Sequence, residues 1–560
     1  MAASNAVDGL LAISRTFGRA AAGQKLRLLR ETANLRRLSK DRIVRLHDTL
    51  YFMRAYPDDA EVLHAVESQI GAFRQVVEAY TKGDPHHHAL LNTGIPGSCN
   101  AYVYSYAVLQ RLVKLYPGCV DIDWEEFTDD SRLAEGLDLA VGRAETRGLE
   151  DEYTTLRDWL QHARSDPRQN DLEVVLQLFR QSSLTPEQQV HVFEICGVPV
   201  LYRLDVSGSG RCEVRLPLDG IAYQRRPIDR ERVRLEPGIV RPLKRYRTLS
   251  PSSGRKLLND ALAALCSRNL EIHAMIYANP DDVTVADCGR GLQVVLVGML
   301  PEWRSTLESD LFFLIVKNGV PIAYGPASIF QGCCEMGINL FPEFRGGEIR
   351  YIYTQFMRTL YNLAAVRYFF VVSYGMGVGN PQALKSGAFW FYRKLGFKAS
   401  NPEVEALAQA EEKIMRRKSS YRSPTQTLRR LSFTEAFLDL SNGRCRPLDF
   451  ESLSQAVTRY VAKRFDGDRA RAARGSTRRL IRVLGIEGYA AWTPQERRAM
   501  RELAAILCLV PDLESWPRRE RRSLAVLARS KGARHELRYA RRAAGLTRLA
   551  DVLHAISSAV

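Results

Sequence analysis

The 560-residue sequence has no run of eighteen or more apolar residues, so it predicts no helix that spans a membrane. Its N-terminal stretch places apolar residues before basic ones, which is the wrong order for a secretory signal, and we therefore expect a cytoplasmic protein. Metal-ligand spacing is lacking as well: His86, His87 and His88 are adjacent, and none of the ten cysteines forms a Cys-x-x-Cys pair. We expect free thiols and no metal centre.

Acidic residues are scarce in the last part of the chain. Residues 451–560 hold 23 Lys and Arg against 11 Asp and Glu, which accounts for +12 of the formal net charge of +17. Nearly all of these cations are arginines, on segments with helical periodicity that also have an apolar face. The pattern fits either a bundle with a solvated basic surface or a patch that neutralises phosphates. It leaves nucleic acid, an acidic protein or an anionic membrane surface open as partners.

Residues 310–397 have the most informative pattern. A strand from Leu311 runs into Asn318-Gly319, and a second strand begins at Val320; Asn-Gly predicts a hairpin because both turn positions need a positive φ. A third strand, "EMGINLF", leads into the turn "PEFRGGE" and then into a helix. Another strand, "RYFFVVS", and the helical stretch "NPQALKSGAFWFYRKLGF" follow. The predicted order is hairpin, strand, glycine-containing turn, helix, strand and helix.

This order, together with "PEFRGG" and "FWFYRKLGF", resembles the core of the GNAT superfamily of acyltransferases over about residues 290–400. The resemblance implies transfer of an acyl group from acetyl-coenzyme A, or another acyl thioester, to an amine. In that family a glycine-rich turn between a strand and a helix binds the pyrophosphate of coenzyme A. Backbone N–H groups converge there at the positive end of the helix dipole.

The resemblance also implies roles for single residues. Tyr392 would protonate the departing thiolate, because a phenol of pKa ~10 has a similar basicity. Glu335 would accept a proton from the attacking ammonium, directly or through water. Tyr392 and Asn380 also have structural interpretations, as a core tyrosine and as a helix N-cap. The positions that would hold the donor are Ile338, Asn339, Leu340, Arg345, Gly346, Gly347 and Asn380.

The turn departs from the family pattern at two places. Glu348 stands where the family has glycine, and Arg350 stands where it has a final small residue. A carboxylate repels a pyrophosphate by ~4 kcal/mol for unit charges ~4 Å apart at an effective dielectric near 20. Either Arg350 offsets this repulsion, or the donor is bound differently, or the site is inactive. A carrier-protein arm or an aminoacyl-tRNA would be an unusual donor of this kind.

The remaining sequence predicts an α+β fold in which a mixed-sheet core is flanked by helical regions. We expect a helical region over residues 1–165 and an acyltransferase-like domain over 255–430, followed by a basic helical domain over 431–560. Residues 166–254 alternate like strands, with "SGSGR" joining "VFEICGVPVLYRLDV" to "CEVRLPLDGIAY" as a hairpin. A looser likeness over residues 40–435 connects the chain to a group of long bacterial proteins that have a Glu in the same turn.

Two functional hypotheses follow. The first is an N-acyltransferase whose donor is a coenzyme A or carrier thioester. The second is a non-catalytic scaffold of the same fold, which binds nucleic acid or a protein partner through its basic C-terminal helices.

Overall fold

The computed structural model describes residues 2–33, 38–82, 88–150, 154–217, 220–228 and 235–559. They form a mixed sheet with one helical region before it and another after it, so the predicted α+β class is confirmed. In this part of the chain, no helix has both the length and the apolar composition that crossing a bilayer requires. His86 and His87 lie outside the described residues.

The region before the sheet is mainly helical, and side-chain caps start several of its helices. Asp59 accepts a hydrogen bond from the Val62 amide, and capping boxes at Asn170 and Thr185 begin two later helices. Helices α3 and α4 in the following list are joined by a short connection and pack on each other. The helices are α1 Ala2–Ile13, α2 Arg19–Ala33, α3 Lys40–Ala55, α4 Ala60–Tyr80, α5 Tyr106–Leu115, α6 Ser131–Ala140, α7 Arg143–Thr146, α8 Leu156–His162, α9 Asp171–Gln181 and α10 Pro186–Cys196.

The same region contains a small antiparallel sheet that helical periodicity did not predict. It comprises β1 (Cys99–Tyr102), β2 (Val120–Ile122) and β3 (Val200–Arg203), with β3 in the middle. The hairpin predicted after residue 191 is wrong. The capping box at Thr185 carries α10 through Cys196, β3 pairs with strands far away in sequence, and the described part of "CEVRLPLDGIAY" is not a strand.

The strands of the main sheet run from Arg245 to Asp439, beyond both ends of the region predicted for the acyltransferase-like domain, and α11 precedes the first of them. The strands are β4 Arg245–Thr248, β5 Ala278–Gly289, β6 Leu292–Met299, β7 Ser309–Lys317, β8 Val320–Phe330, β9 Cys333–Met336, β10 Asn339–Leu340, β11 Tyr368–Val371, β12 Lys398–Ala399 and β13 Ala436–Asp439. The helices are α11 Leu235–Val240, α12 Pro251–Cys266, α13 His273–Ile276, α14 Ile349–Leu363, α15 Ser373–Met376, α16 Pro381–Ser386, α17 Ala388–Lys394, α18 Pro402–Arg417 and α19 Thr425–Ser432.

The strand order is β12-β13-β11-β9-β8-β7-β6-β5-β4, and β10 pairs with β8. Neighbours are antiparallel except β9 and β11, which are parallel. The predicted Asn318-Gly319 hairpin is confirmed, with φ of 49° and 78° at the two turn positions. The helical stretch from Asn380 is divided in two, because Gly387 adopts a left-handed conformation between α16 and α17.

The helical regions contact the sheet in different ways. Buried apolar side chains of the N-terminal helices and the sheet form one continuous core. The C-terminal helices have a core of their own, to which Leu307, just before β7, and Phe330 of β8 also belong. Glu536 fixes this junction, because its buried carboxylate accepts the Met299 amide at 3.0 Å and lies 3.3 Å from Lys531 Nζ. The C-terminal helices are α20 Phe450–Phe465, α21 Arg469–Leu484, α22 Pro494–Leu507, α23 Arg518–Lys531, α24 Glu536–Ala544 and α25 Thr547–Ser558.

Candidate functional site

The sheet opens between two parallel strands. β9 pairs with β11 only as far as Glu335, which lies opposite Phe370. The chain then continues as β10, which keeps the same register on β8, while β11 ends at Val371. β8 approaches the chain closely here, since a Cβ on Gly325 would lie 1.9 Å from the Gly337 carbonyl oxygen. Pairing between the two parallel strands therefore stops at Glu335. The predicted donor-binding residues follow on the β10 side, with Ile338 directly before β10 and with Asn339 and Leu340 within it.

Tyr392 is brought to this opening through a second tyrosine. Its hydroxyl lies 3.2 Å from the hydroxyl of Tyr353 on α14, and Tyr353 donates to the Ile338 carbonyl at 3.4 Å. Tyr392 is only 6% exposed, and burial raises the pKa of its phenol, an effect that the Tyr353 hydrogen bond partly offsets. Two hydroxyls thus connect α17 to the first residues after the strands separate. Sequence reasoning did not find Tyr353, because the helical periodicity of α14 marks it only as a core residue.

Glu335 lies on the opposite face of the sheet from α14. Phe313 packs on Phe356 of α14 with ring centroids 4.1 Å apart, and the strand registers put Met336 on that same face. Because side chains alternate along a strand, Glu335 points the other way, where it is exposed. Its pKa is raised, first by loss of hydration and then by the nearby carboxylates of Glu435 and Asp310.

The glycine-containing turn leaves main-chain donors unused. Gly346 has a φ of +78°, which favours glycine, and Arg345 and Gly346 are exposed. Within the described residues, the amides of Gly346, Gly347 and Glu348 have no hydrogen-bond acceptor. They directly precede α14, whose first N–H groups also lack helical partners. The turn therefore presents donors at the positive end of a helix dipole.

Glu348 does not face these donors as the sequence suggested. Its carboxylate lies 2.6 Å from Lys317 Nζ, and the two side chains are 4% and 2% exposed. Lys317 comes from the end of β7, so the ion pair joins the turn to the hairpin. Arg350 instead donates to the Lys394 carbonyl at 2.7 Å. The expected repulsion of a diphosphate is thus offset by Lys317 and not by Arg350, a pairing that no local sequence signal predicts.

N-terminal residues support the other side of the turn. The Arg15 guanidinium donates to the carbonyls of Arg345 and Glu343, both at 2.7 Å. The Glu343 side chain is fully buried, 2.8 Å from Arg211 and 3.4 Å from Arg268. Both acidic side chains of the turn are therefore paired inside the protein. Sequence reasoning missed these partners because they lie more than seventy positions away.

Asn380 is engaged as a helix cap. Its side-chain oxygen accepts a hydrogen bond from the Ala383 amide at 3.0 Å and starts α16. This is the structural role that the Asn-Pro sequence also allowed. A part in donor binding stays a prediction for this residue.

Comparisons with family models, with curated proteins and with solved structures find no match to this chain. Within the described residues, no three or more His, Cys, Asp or Glu side chains are grouped so as to hold a metal ion.

Proposed function

We propose that this protein is an acyltransferase that moves an acyl group from a coenzyme A or carrier thioester to an amine. One observation carries the proposal: the Tyr392 hydroxyl is connected through Tyr353 to the Ile338 carbonyl, at the place where two parallel strands separate. The unused amides from Gly346 to Glu348 support it, since a thioester donor of this class carries a phosphate that they could bind.

The proposed reaction needs a base that accepts the proton of the amine and an acid that protonates the thiolate of the same thioester. The amine nitrogen bonds to the carbonyl carbon, and Glu335, which lies on the face of the sheet opposite α14, takes the ammonium proton through water. The carbon–sulfur bond then breaks, and the thiolate takes the proton of Tyr392, which Glu335 later restores through solvent. The raised pKa of Glu335 brings this base closer to neutral pH. The raised pKa of Tyr392 keeps it protonated, as a proton donor must be.

The experiment is calorimetric titration with free, acetyl- and longer acyl-coenzyme A, followed by a thiol-release assay with a panel of amines. Tyr392→Phe should keep donor affinity and reduce turnover by about 100-fold or more, because it removes the acid alone. Tyr374→Phe is the matched control, since Tyr374 is 61% exposed and should leave both values unchanged. Equal turnover in the two variants would contradict the role of Tyr392.

The scaffold hypothesis has an observation in its favour. The Ile338 carbonyl, which the GNAT resemblance assigns to the donor arm, already accepts the Tyr353 hydroxyl, and Tyr392 is buried. A donor arm would have to displace that hydrogen bond. If folded wild-type protein binds no thioester and releases no thiol, the non-catalytic scaffold is the better account.

A further inference from the structure

The C-terminal helices enclose a cleft with a strongly basic lining. It has a volume of about 620 Å³ and lies between α23 and α24, where α25 begins. Its arginines are Arg518, Arg519 and Arg522 of α23 with Arg541 and Arg542 of α24. All five side chains are exposed, and no Asp or Glu is among the lining residues. Five positive charges therefore surround one open concavity.

Within the described residues, several arginines of this domain are paired and others, such as Arg459, Arg474 and Arg478, are not. The five arginines of the cleft differ from both groups because they converge on one concavity. Arg521, in the middle of the same run, donates to the Trp516 carbonyl at 3.0 Å and to the Val483 carbonyl at 2.7 Å. Within the described residues, the five guanidinium groups of the cleft make neither an ion pair nor a hydrogen bond. Arginine ion pairs elsewhere among the described C-terminal helices are Arg471–Asp466, Arg479–Glu514, Arg498–Glu502, Arg529–Glu496 and Arg548–Glu520.

The stability of the fold does not account for this arrangement. Arg518 and Arg519 occupy the first turn of α23, where the helix dipole is positive and cations are unfavourable. The five side chains also repel one another, with no acidic lining residue to reduce the repulsion. A polyanion in the cleft would relieve both effects. Arg541 and Arg542, in the last turn of α24, are favourably placed for the dipole but face the same cleft.

We propose that this cleft binds the phosphate backbone of a nucleic acid. The planar guanidinium fork matches phosphate geometry, and arginine is the usual residue for nucleic-acid recognition. The cleft is open along exposed side chains, so a polymer can cross it. Its other lining residues are Ser523, Val526, Gly545 and Leu546, which offer no aromatic ring for stacking bases. Binding should therefore depend on salt and ignore sequence.

The test uses the full-length protein and a fluorescent, unstructured RNA of about 20 nucleotides, with anisotropy measured over a range of salt concentrations. Five phosphate contacts predict that log K falls with log salt at a slope of about −3.5 for a single strand. The triple variant Arg518→Gln, Arg522→Gln and Arg541→Gln should reduce the slope by about 2. At about 0.1 M salt, that loss corresponds to roughly 100-fold weaker binding.

A second triple variant separates the cleft from overall charge. Arg459→Gln, Arg474→Gln and Arg478→Gln remove the same charge from exposed positions of α20 and α21. This variant should bind RNA within about threefold of the wild type, because it loses only long-range attraction. Equal losses in the two variants would overturn the assignment to the cleft. Near-wild-type thermal unfolding of both variants would exclude misfolding as the cause.

Two further ligands identify the partner class. Poly-glutamate of matched charge should compete with the RNA at least about tenfold less well, since it lacks phosphates. If it binds as tightly, the cleft is a site for an acidic protein and the proposal fails. No binding of RNA or single-stranded DNA at about 0.1 M salt would also overturn it. Neither result bears on acyl transfer, which Tyr392→Phe tests separately.

Discussion

The ion pair between Lys317 and Glu348 gives the sharpest prediction about the candidate site. Lys317→Met removes the ammonium and retains an unbranched apolar side chain, which leaves the buried Glu348 carboxylate alone. Breaking a buried pair from one side costs about 3–5 kcal/mol, because the remaining charge has lost both water and its partner. We expect that loss for Lys317→Met. The double variant Lys317→Met with Glu348→Gln should be within about 1.5 kcal/mol of the wild type.

Glu348→Gln should be the milder single change, and its cost should depend on pH. Burial already lowers the pKa of Lys317, and Glu348 opposes that effect. Without Glu348 the folded-state pKa falls further, while the unfolded value stays near 10.5. Between these two values the unfolded chain binds more protons, so stability rises with pH. The Glu348→Gln variant should therefore recover stability relative to the wild type as pH increases toward 10.

The assay is a double-mutant cycle, measured by urea denaturation with fluorescence and circular dichroism. The chain has two hydrophobic cores, which can unfold in separate transitions. Fluorescence and circular dichroism must therefore report the same transition before free energies are compared. Arg498→Met is the control, because its pair with Glu502 is 41% and 39% exposed and should contribute less than about 1 kcal/mol. If Lys317→Met costs no more than this control, the pair is not buried as described.

Two further predictions concern the N-terminal helices and α12. Burial, followed by the charge of Arg211, lowers the pKa of His47 to about 4 from 6.5. Between pH 6.5 and 4, His47 is therefore protonated in the unfolded chain and neutral in the folded chain. As pH falls through this window, the free energy of unfolding decreases by about 3 kcal/mol. The His47→Gln variant should lack that loss of stability when it is unfolded by acid titration. An acid transition identical to that of the wild type would show that His47 is accessible to protons in the folded protein. Among helical glycines, Gly71→Ala meets no atom within 4 Å and should stabilise by about 0.5–1 kcal/mol. Gly254→Ala should destabilise, because its Cβ would lie 2.1 Å from the Pro280 carbonyl oxygen; thermal melts that ranked the two variants the other way would contradict the packing of α12 on β5.

Local sequence signals predicted the elements around the site. Asn318-Gly319 fixes its hairpin because both positions adopt positive φ, and the glycine turn leads into α14 as expected. Where an element depends on distant partners, the prediction failed. β3 was expected to pair with the next segment of chain, but it lies between β1 and β2, which come some eighty or more residues earlier. Alternation of apolar and polar residues indicates that a strand has one buried and one exposed face. It does not indicate which strand lies beside it.

The candidate site shows the same limit. Tyr392, Ile338 and the glycine turn could be chosen from the sequence because their spacing along the chain is fixed. Tyr353 could not, since only the crossing of α14 over β10 makes its hydroxyl the bridge between them. The sequence shows Glu348 in the turn but does not predict its partner, because Lys317 comes from the end of β7.

The charged partners of the turn come from several distant parts of the chain. Two unpaired carboxylates in this turn would repel an anion. Both are instead paired inside the protein: Glu343 with Arg211 and Arg268, and Glu348 with Lys317. Arg15 occupies two of the carbonyls as well. Arg345 and Gly346 are exposed, and the amides from Gly346 to Glu348 have no acceptor among the described residues. The proposed anion site therefore depends on partners that come from several distant parts of the chain, of which the N-terminal helical region supplies Arg15.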